Sequence, residues 1–432
     1  MFDEEKIKEL EERDKKLEEE TNRYIVILKT RPRIGIRATI ESSALNNYGK
    51  IKYLHSIINA VTMEAIPGKG PQLASFKNPD IEDIVKDRRM RVALDVSVPL
   101  IQVPKVWAEG KNKGRNITIA VVDTGVDPNH PDLIGRVTKT KDFTGEGYFD
   151  GYGHGTHVAG IVAGDGNASR GKYSGIAPEA RIVAVKVLDS YGSGWMSDVI
   201  AGIEWAAEQG PHVMNLSLGT SGPCDGTDPA SKACDAVFDA GTTVCVAAGN
   251  SGPDPMTIGS PGCAKKVITV GASDDKDKIA SFSSRGPTLD GRVKPDVCFP
   301  GVGIVAARGK DTSMGSPVGT HYTSASGTSM ATPHAVGVAA LLIRESMIKG
   351  RRVLTSFQVK DLILRHAHDL GYDDNTDGHG RGDAYESWKE IGKEDGEVPG
   401  FHLSPLQIVL IAVAVIFIVA IIIILLLVFL NS

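Results

Sequence analysis

The sequence predicts an α/β protein: a parallel sheet flanked by helices, preceded by a small α+β domain and followed by one transmembrane helix. Three observations predict it. Between residues 98 and 390, continuous apolar strand-like runs alternate with longer helical patterns, as in a parallel sheet covered on both faces. Between residues 23 and 97, short β-branched runs are separated by turn signals. From Ile408 to Leu430 the chain is apolar without a single charge.

Residues 1–22 form a charged, helix-prone arm. Ile7, Leu10 and Leu17 give it only a thin apolar stripe, and it lacks the apolar centre of a secretory signal. In the 23–97 domain, Tyr24–Lys29 reads as a strand, and Lys52–Ile66 is β-branched and apolar. PGKG at 67–70 marks a turn, Pro71–Lys77 a short helix, and Ile81–Val85 and Arg89–Leu94 further strands. In the 98–390 domain the strands include Ile117–Val122, Ile182–Val187, His212–Leu218, Thr243–Ala248 and Val267–Val270. Asp198–Gln209 and Ala233–Ala240 read as helices. Residues 391–407 form an acidic linker. Residues 408–430 make a helix of about 34 Å, enough for a hydrocarbon core of about 30 Å.

The 432 residues carry a formal net charge of −5, and no basic stripe with interleaved aromatics appears. Nucleic acid is therefore not an expected partner. The five cysteines show no Cys-x-x-Cys pair, so no metal site is expected. Cys224 and Cys234 can close a loop in an oxidising compartment, and the alternative is free thiols packed as small apolar groups.

Peptide hydrolysis by a serine needs a hydroxyl, a base, a carboxylate that orients the base, and donors for the oxyanion. Asp123 ends the apolar run ITIAVV, at a strand's carboxyl end where sites form in parallel sheets. Asp127, nearby, lies in the turn DPNHPD and reads as a turn or cap residue. His154 precedes an apolar helix with small neighbours, while His157 on the same helix reads as structural. Ser329 follows Gly-Thr at the start of a small-residue helix, where free backbone N–H groups point outward. Asn250, at a Gly-Asn turn after a strand, has a side-chain amide able to meet an oxyanion.

These residues stand in VVDTGVD at 121–127, HGTHVAG at 154–160, NLSLG at 215–219, AAGN at 247–250 and SGTSMATPH at 326–334. In that order the chain resembles the subtilisin-like serine peptidases, from about residue 99 to 386. The resemblance implies a subtilisin-like endopeptidase with Asp123, His154 and Ser329 as its triad. Asn250 and the Ser329 N–H would form the oxyanion hole. It implies an extended peptide or protein substrate lying along Ser217-Leu218-Gly219 and Ala247-Ala248-Gly249. Its primary specificity pocket would lie near Gly259, open to apolar or aromatic side chains.

The resemblance also makes residues 23–97 propeptide-like, an intramolecular inhibitor whose ALDVSVPL stretch lies in the cleft, with self-cleavage within 93–98. The chemistry it implies needs no cofactor. Structural calcium stays open. The region 164–175 lacks an obvious ligand cluster, and YDDNTDG at 372–378, without full EF-hand spacing, reads as a solvated acidic turn. Through residues 408–430 the lipid bilayer is an expected partner, with the peptidase on the cytoplasmic side and the extracellular face as the alternative. A catalytically silent, membrane-tethered scaffold on the same fold is the rival function.

Overall fold

The computed structural model describes residues 23–29, 40, 44–55, 60–86, 94–351 and 353–391. The arm, the linker beyond Ile391 and the expected span at 408–430 lie outside them. Among the described residues no helix is long and apolar enough to cross a membrane. The chain divides into two units, Met1–Arg91 and Val92–Ser432, so the boundary falls ahead of the expected position after residue 97.

The first unit is an antiparallel sheet of β1 (Arg23–Leu28), β2 (Gly49–His55), β3 (Ala60–Ala65) and β4 (Ile81–Lys86) in the order β2-β3-β1-β4. Successive side chains of a strand point to opposite faces. Tyr24, Val26 and Leu28 therefore share one face with Val61, Met63 and Ala65 of β3, and all six are buried with Leu45 and Leu73. Leu73 comes from α1 (Gly70–Ala74), where Pro71 sits at the helix start and its missing N–H costs nothing.

The second unit opens with α2 (Leu94–Leu100) and α3 (Val103–Glu109). The expected strand at 89–94 is thus a helix at Leu94, its other residues lying outside those described. ALDVSVPL is not an extended cleft segment either. Val98 packs into the main core, and Ser97 Oγ bonds His334 Nε2 at 2.9 Å. An apolar residue facing the interior holds this stretch in the body of the second unit.

A seven-stranded sheet forms the centre, in the order β11-β10-β9-β8-β5-β7-β6. Its strands are β5 (Thr118–Asp123), β6 (Val137–Asp142), β7 (Arg181–Lys186), β8 (Val213–Leu216), β9 (Thr243–Ala247), β10 (Ile268–Ser273) and β11 (Val297–Pro300). Every pairing is parallel. A three-stranded antiparallel sheet of β12 (Ile304–Ala307), β13 (Ser316–Val318) and β14 (Tyr322–Ala325) stands beside it.

Alternation along the strands decides which helices lie on which face. Ile119, Val121, Ile182 and Ala184 pack with α4 (His154–Ala163) and α7 (Thr328–Ile348). Ala120, Val122, Val183 and Val185 pack on the other face with α5 (Met196–Glu208) and α6 (Pro229–Asp239). Strand β6, VTKTKD, is the edge and buries none of its six residues, which is why no apolar run announces it. Helices α8 (Ser356–Arg365), α9 (Asp374–Asp377) and α10 (Ala384–Glu390) complete the unit. The expected solvated turn at 372–378 contains α9 and buries Thr376 and Asp377, because Asp373 caps the helix and folds the run inward.

Beneath the sheet edge, Asp296 takes Lys294 Nζ at 2.6 Å and Lys360 Nζ at 3.0 Å. Burial alone would raise the Asp296 carboxyl. The two ammonium groups, with the Lys294 hydrogen bond and the Thr269 N–H, instead hold it at about 2. Burial pushes Lys294 down to about 8. A carboxylate depressed in the fold stabilises it above the ordinary value of 3.8, and that contribution fades as pH falls towards about 2. Asp296→Asn leaves two lysines without their shared anion, so urea unfolding at neutral pH should show a loss of about 3–5 kcal/mol. The loss should shrink in acid; an equal loss at every pH would refute the pairing.

Candidate active site

The sheet order reverses direction around β5: β6 and β7 lie on one side of it, β8 to β11 on the other. Parallel sheets open a crevice at the carboxyl ends of the strands where the order reverses. Asp123 is the last residue of β5, Ser217 follows β8, and Ala247 ends β9. A cavity of about 550 Å³ opens there.

Asp123 is fully buried, and its Oδ1 contacts His154 Nδ1 at 2.7 Å while accepting the Thr124 N–H at 2.8 Å. His154 is the first residue of α4, with its side chain 16% exposed towards the cavity. Burial pushes its pKa down, but the Asp123 charge and hydrogen bond, with Asp150 behind them, raise it above the ordinary imidazole value. The loop before α4 is built around Asp150. Its Oδ1 accepts from Thr124 Oγ1, Tyr152 N and Gly153 N, and its Oδ2 from Thr156 N and Oγ1. Gly155 is obligatory, because a Cβ there would lie 2.0 Å from Gly125 O. Nothing in the sequence singles out Asp150 beyond its place four residues ahead of His154; in a Gly-Tyr-Gly loop a carboxylate looks like a solvated turn residue.

Ser329 sits in the first turn of α7 and lines the same cavity as His154. Its Oγ donates to Ser217 O at 3.0 Å, and Ser217 Oγ donates in return to Ser329 O at 2.9 Å. The second bond depends on Pro333. A helix normally satisfies the carbonyl of residue i with the N–H of i+4, but proline has none. The Ser329 carbonyl is thereby freed for Ser217, which pins the helix start to the end of β8.

Asn250 is oriented from behind. Its Oδ1 accepts the Thr328 N–H at 2.9 Å and Thr328 Oγ1 at 3.0 Å, which aims Nδ2 the other way. Asn250 and Ser329 both line the cavity, so an amide and a first-turn N–H can meet one oxyanion. Asn250→Ala should lower kcat for peptide hydrolysis by about 10²–10³, the scale for loss of one oxyanion-hole donor, with little change in KM. An unchanged kcat would exclude the amide from charge stabilisation.

The other expected residues converge here. Ser217, Leu218, Gly219, Ala247, Ala248, Gly249 and Gly259 all line the cavity. Gly259 tolerates no side chain, since its Cβ would lie 1.9 Å from Thr220 O. No Asp or Glu is among the lining residues. His157 stays outside: it is buried, its Nε2 lies 3.1 Å from both Ile304 O and Thr323 O, and burial lowers its pKa to about 4. Asp127 is a buried turn residue whose carboxylate accepts from Asn129 N and Lys310 N.

The cysteines depart from expectation. Cys224 pairs with Cys263, not Cys234, while Cys234, Cys245 and Cys298 are free and buried. Cys234 lies on the sheet-facing side of α6 among Val237 and Phe238, turned away from the loop that carries Cys224. Cys224, Cys263 and Asp228 cluster closely, but both sulfurs are spent on the bridge and offer no thiolate to a metal.

Residues 114–382 match the Subtilase family. Serine protease AprX of Bacillus subtilis (strain 168) is 40% identical over 77% of this chain and 79% of its own. Subtilisin DY of Bacillus licheniformis is 40% identical over 63% of this chain and 91% of its own. A cold-adapted subtilisin-like serine proteinase of known structure superposes with a TM-score of 0.50 at 31% identity, covering 69% of this chain and 91% of that one. The chain belongs to the subtilase family and is a subtilisin-like serine protease, a hydrolase.

Proposed function

We propose that the protein is a membrane-tethered, self-processing endopeptidase whose triad is Asp123, His154 and Ser329. One observation carries the catalytic assignment. A buried carboxylate holds an imidazole at 2.7 Å on the rim of the cavity that also contains Ser329 and Asn250. An extended substrate lies between Ser217–Gly219 and Ala247–Gly249. Ser329 Oγ swings from Ser217 O to His154 Nε2, loses its proton there and attacks the scissile carbonyl. The oxyanion meets Asn250 Nδ2 and the Ser329 N–H. His154, held by Asp123, then passes the proton to the leaving amine, and water releases the acyl group by the reverse sequence. The absence of an acidic residue from the cavity lining supports apolar or aromatic side chains in the pocket near Gly259.

The first unit acts as propeptide and inhibitor in this reading, and the chain cuts itself within 93–98. The buried Val98 and the Ser97–His334 bond favour a cut ahead of Ser97, which leaves both in the mature enzyme. Residues 408–430 supply the anchor. The Cys224–Cys263 bridge favours the outward face over the cytoplasmic one, because reducing compartments keep such pairs as thiols.

Labelling with a fluorophosphonate, followed by mass spectrometry of the adduct, tests the assignment. A single adduct on Ser329, blocked by a competing peptide aldehyde, is expected. Correctly processed protein that takes no label would favour the silent scaffold.

A further inference from the structure

We propose that the Cys224–Cys263 disulfide determines which side chains the primary specificity pocket accepts, by holding its two walls at the spacing a bulky apolar residue needs; this rests on the pocket placed above near Gly259. One wall is the loop between β8 and α6, which contributes Gly219, Thr220 and Ser221 to the cavity. The other is the loop between β9 and β10, which contributes Gly259, Ser260 and Pro261. The bridge joins these loops with a Cα–Cα distance of 6.0 Å across 39 positions of sequence.

The walls meet backbone to backbone. Thr220 N–H donates to Ser260 O at 2.8 Å, and Thr220 O occupies the place a Gly259 side chain would need. Behind them Ala248, Ile258, Cys263 and Cys224 form a small apolar cluster separate from the two large cores. Neither loop has regular structure next to the cavity, so cross-links rather than a sheet or helix ladder set the gap. Ser260 Oγ also donates to Asp228 Oδ1 at 2.6 Å, and Asp228 caps α6. These hydrogen bonds keep both loops folded against the body when the bridge opens, while the bridge itself fixes the spacing of the two walls where they line the cavity.

A dithiol reductant opens it in a balanced exchange. The S–S bond accepts two electrons and two protons to give two thiols, and the dithiol closes to its own disulfide. Two unbonded sulfurs separate from bonding distance to van der Waals contact, more than ~1 Å. Cys224 is partly exposed and within reach of the reagent. Cys234, Cys245 and Cys298 are buried with their thiol pKa values pushed up by that burial, so they do not exchange.

The test compares the full chain before and after dithiothreitol, with active sites counted by fluorophosphonate and free thiols by mass. The substrates are two peptide aminocoumarins carrying Phe or Ala on the acyl side of the scissile bond. Reduction should lower kcat/KM for the Phe peptide about tenfold, mainly through KM, and change the Ala peptide less than about twofold. The double variant Cys224→Ser with Cys263→Ser should match the reduced enzyme and ignore dithiothreitol. An unchanged Phe-to-Ala ratio with both thiols free overturns the inference and leaves the peptidase reading intact. Loss of countable sites on reduction overturns it too, because the bridge would then hold the fold rather than the pocket. Failure to cleave either peptide in either state overturns both readings.

Discussion

Ser329→Ala should lower kcat by about 10⁶ while leaving the fold intact, the scale that subtilisin itself sets for loss of the nucleophile. In the proposed triad the hydroxyl is the bond-forming group. What survives comes from Asn250, the residue-329 N–H and substrate binding, which still favour attack by water. The Ser217–Ser329 carbonyl bond uses the main chain of residue 329, so the helix start stays pinned in the variant. The same protein should retain the residues ahead of the processing site. Peptide turnover, thermal unfolding and N-terminal sequencing check the three parts. Turnover above about a thousandth of the parent's would remove Ser329 from the mechanism. A variant starting at the parent's own first residue would remove self-cleavage.

Asp123→Asn should cost about 10⁴ in kcat and move the acid limb of kcat/KM to lower pH. A neutral amide holds the Nδ1–H more weakly than the carboxylate, can turn its own NH2 towards the ring and no longer stabilises the imidazolium, so the imidazole is free to take the wrong tautomer. The pH shift has a definite sign. His154 must be neutral to accept the Ser329 proton, and in the parent burial pushes its pKa down while Asp123 and Asp150 more than reverse this. The parent's kcat/KM should therefore rise through a value above the ordinary 6.5. With Asp123 neutralised, burial dominates and the limb moves down, even as the plateau falls. Asp150→Asn should move it the same way by less. The pair also contributes to stability: its share is complete below the ordinary imidazole value and is lost as pH rises through the raised one. A limb that stays put in Asp123→Asn would mean that another group titrates.

The sequence located what depends on local pattern. Ile119–Val122 and Ile182–Val185 are buried on both faces, so apolar continuity marked these parallel strands, and in Val213–Leu216 only the buried Asn215 interrupts it. Strand β6 escaped because an edge strand that faces water carries threonines and lysines in place of an apolar run. Asp123, His154, Asn250 and Ser329, which the structure places around one cavity or directly behind it, each stand in a short run rich in glycine and small residues, and the Gly155 contact shows why such a residue is needed there.

Tertiary structure decided the partners. Cys224 lies nearer Cys234 in sequence, yet the orientation of α6 turns Cys234 into the core and brings Cys263 across from the next loop. Asp150 became the hub of the His154 loop, and Pro333 the reason Ser217 can hold Ser329, only when segments far apart in the chain met. ALDVSVPL, apolar enough to lie in a cleft, instead entered the core through Val98 and His334. Periodicity and motif report what one segment can do by itself. Which side chain satisfies a buried carbonyl, sulfur or carboxylate depends on every segment that arrives beside it, and a buried polar group accepts whichever partner the packing delivers.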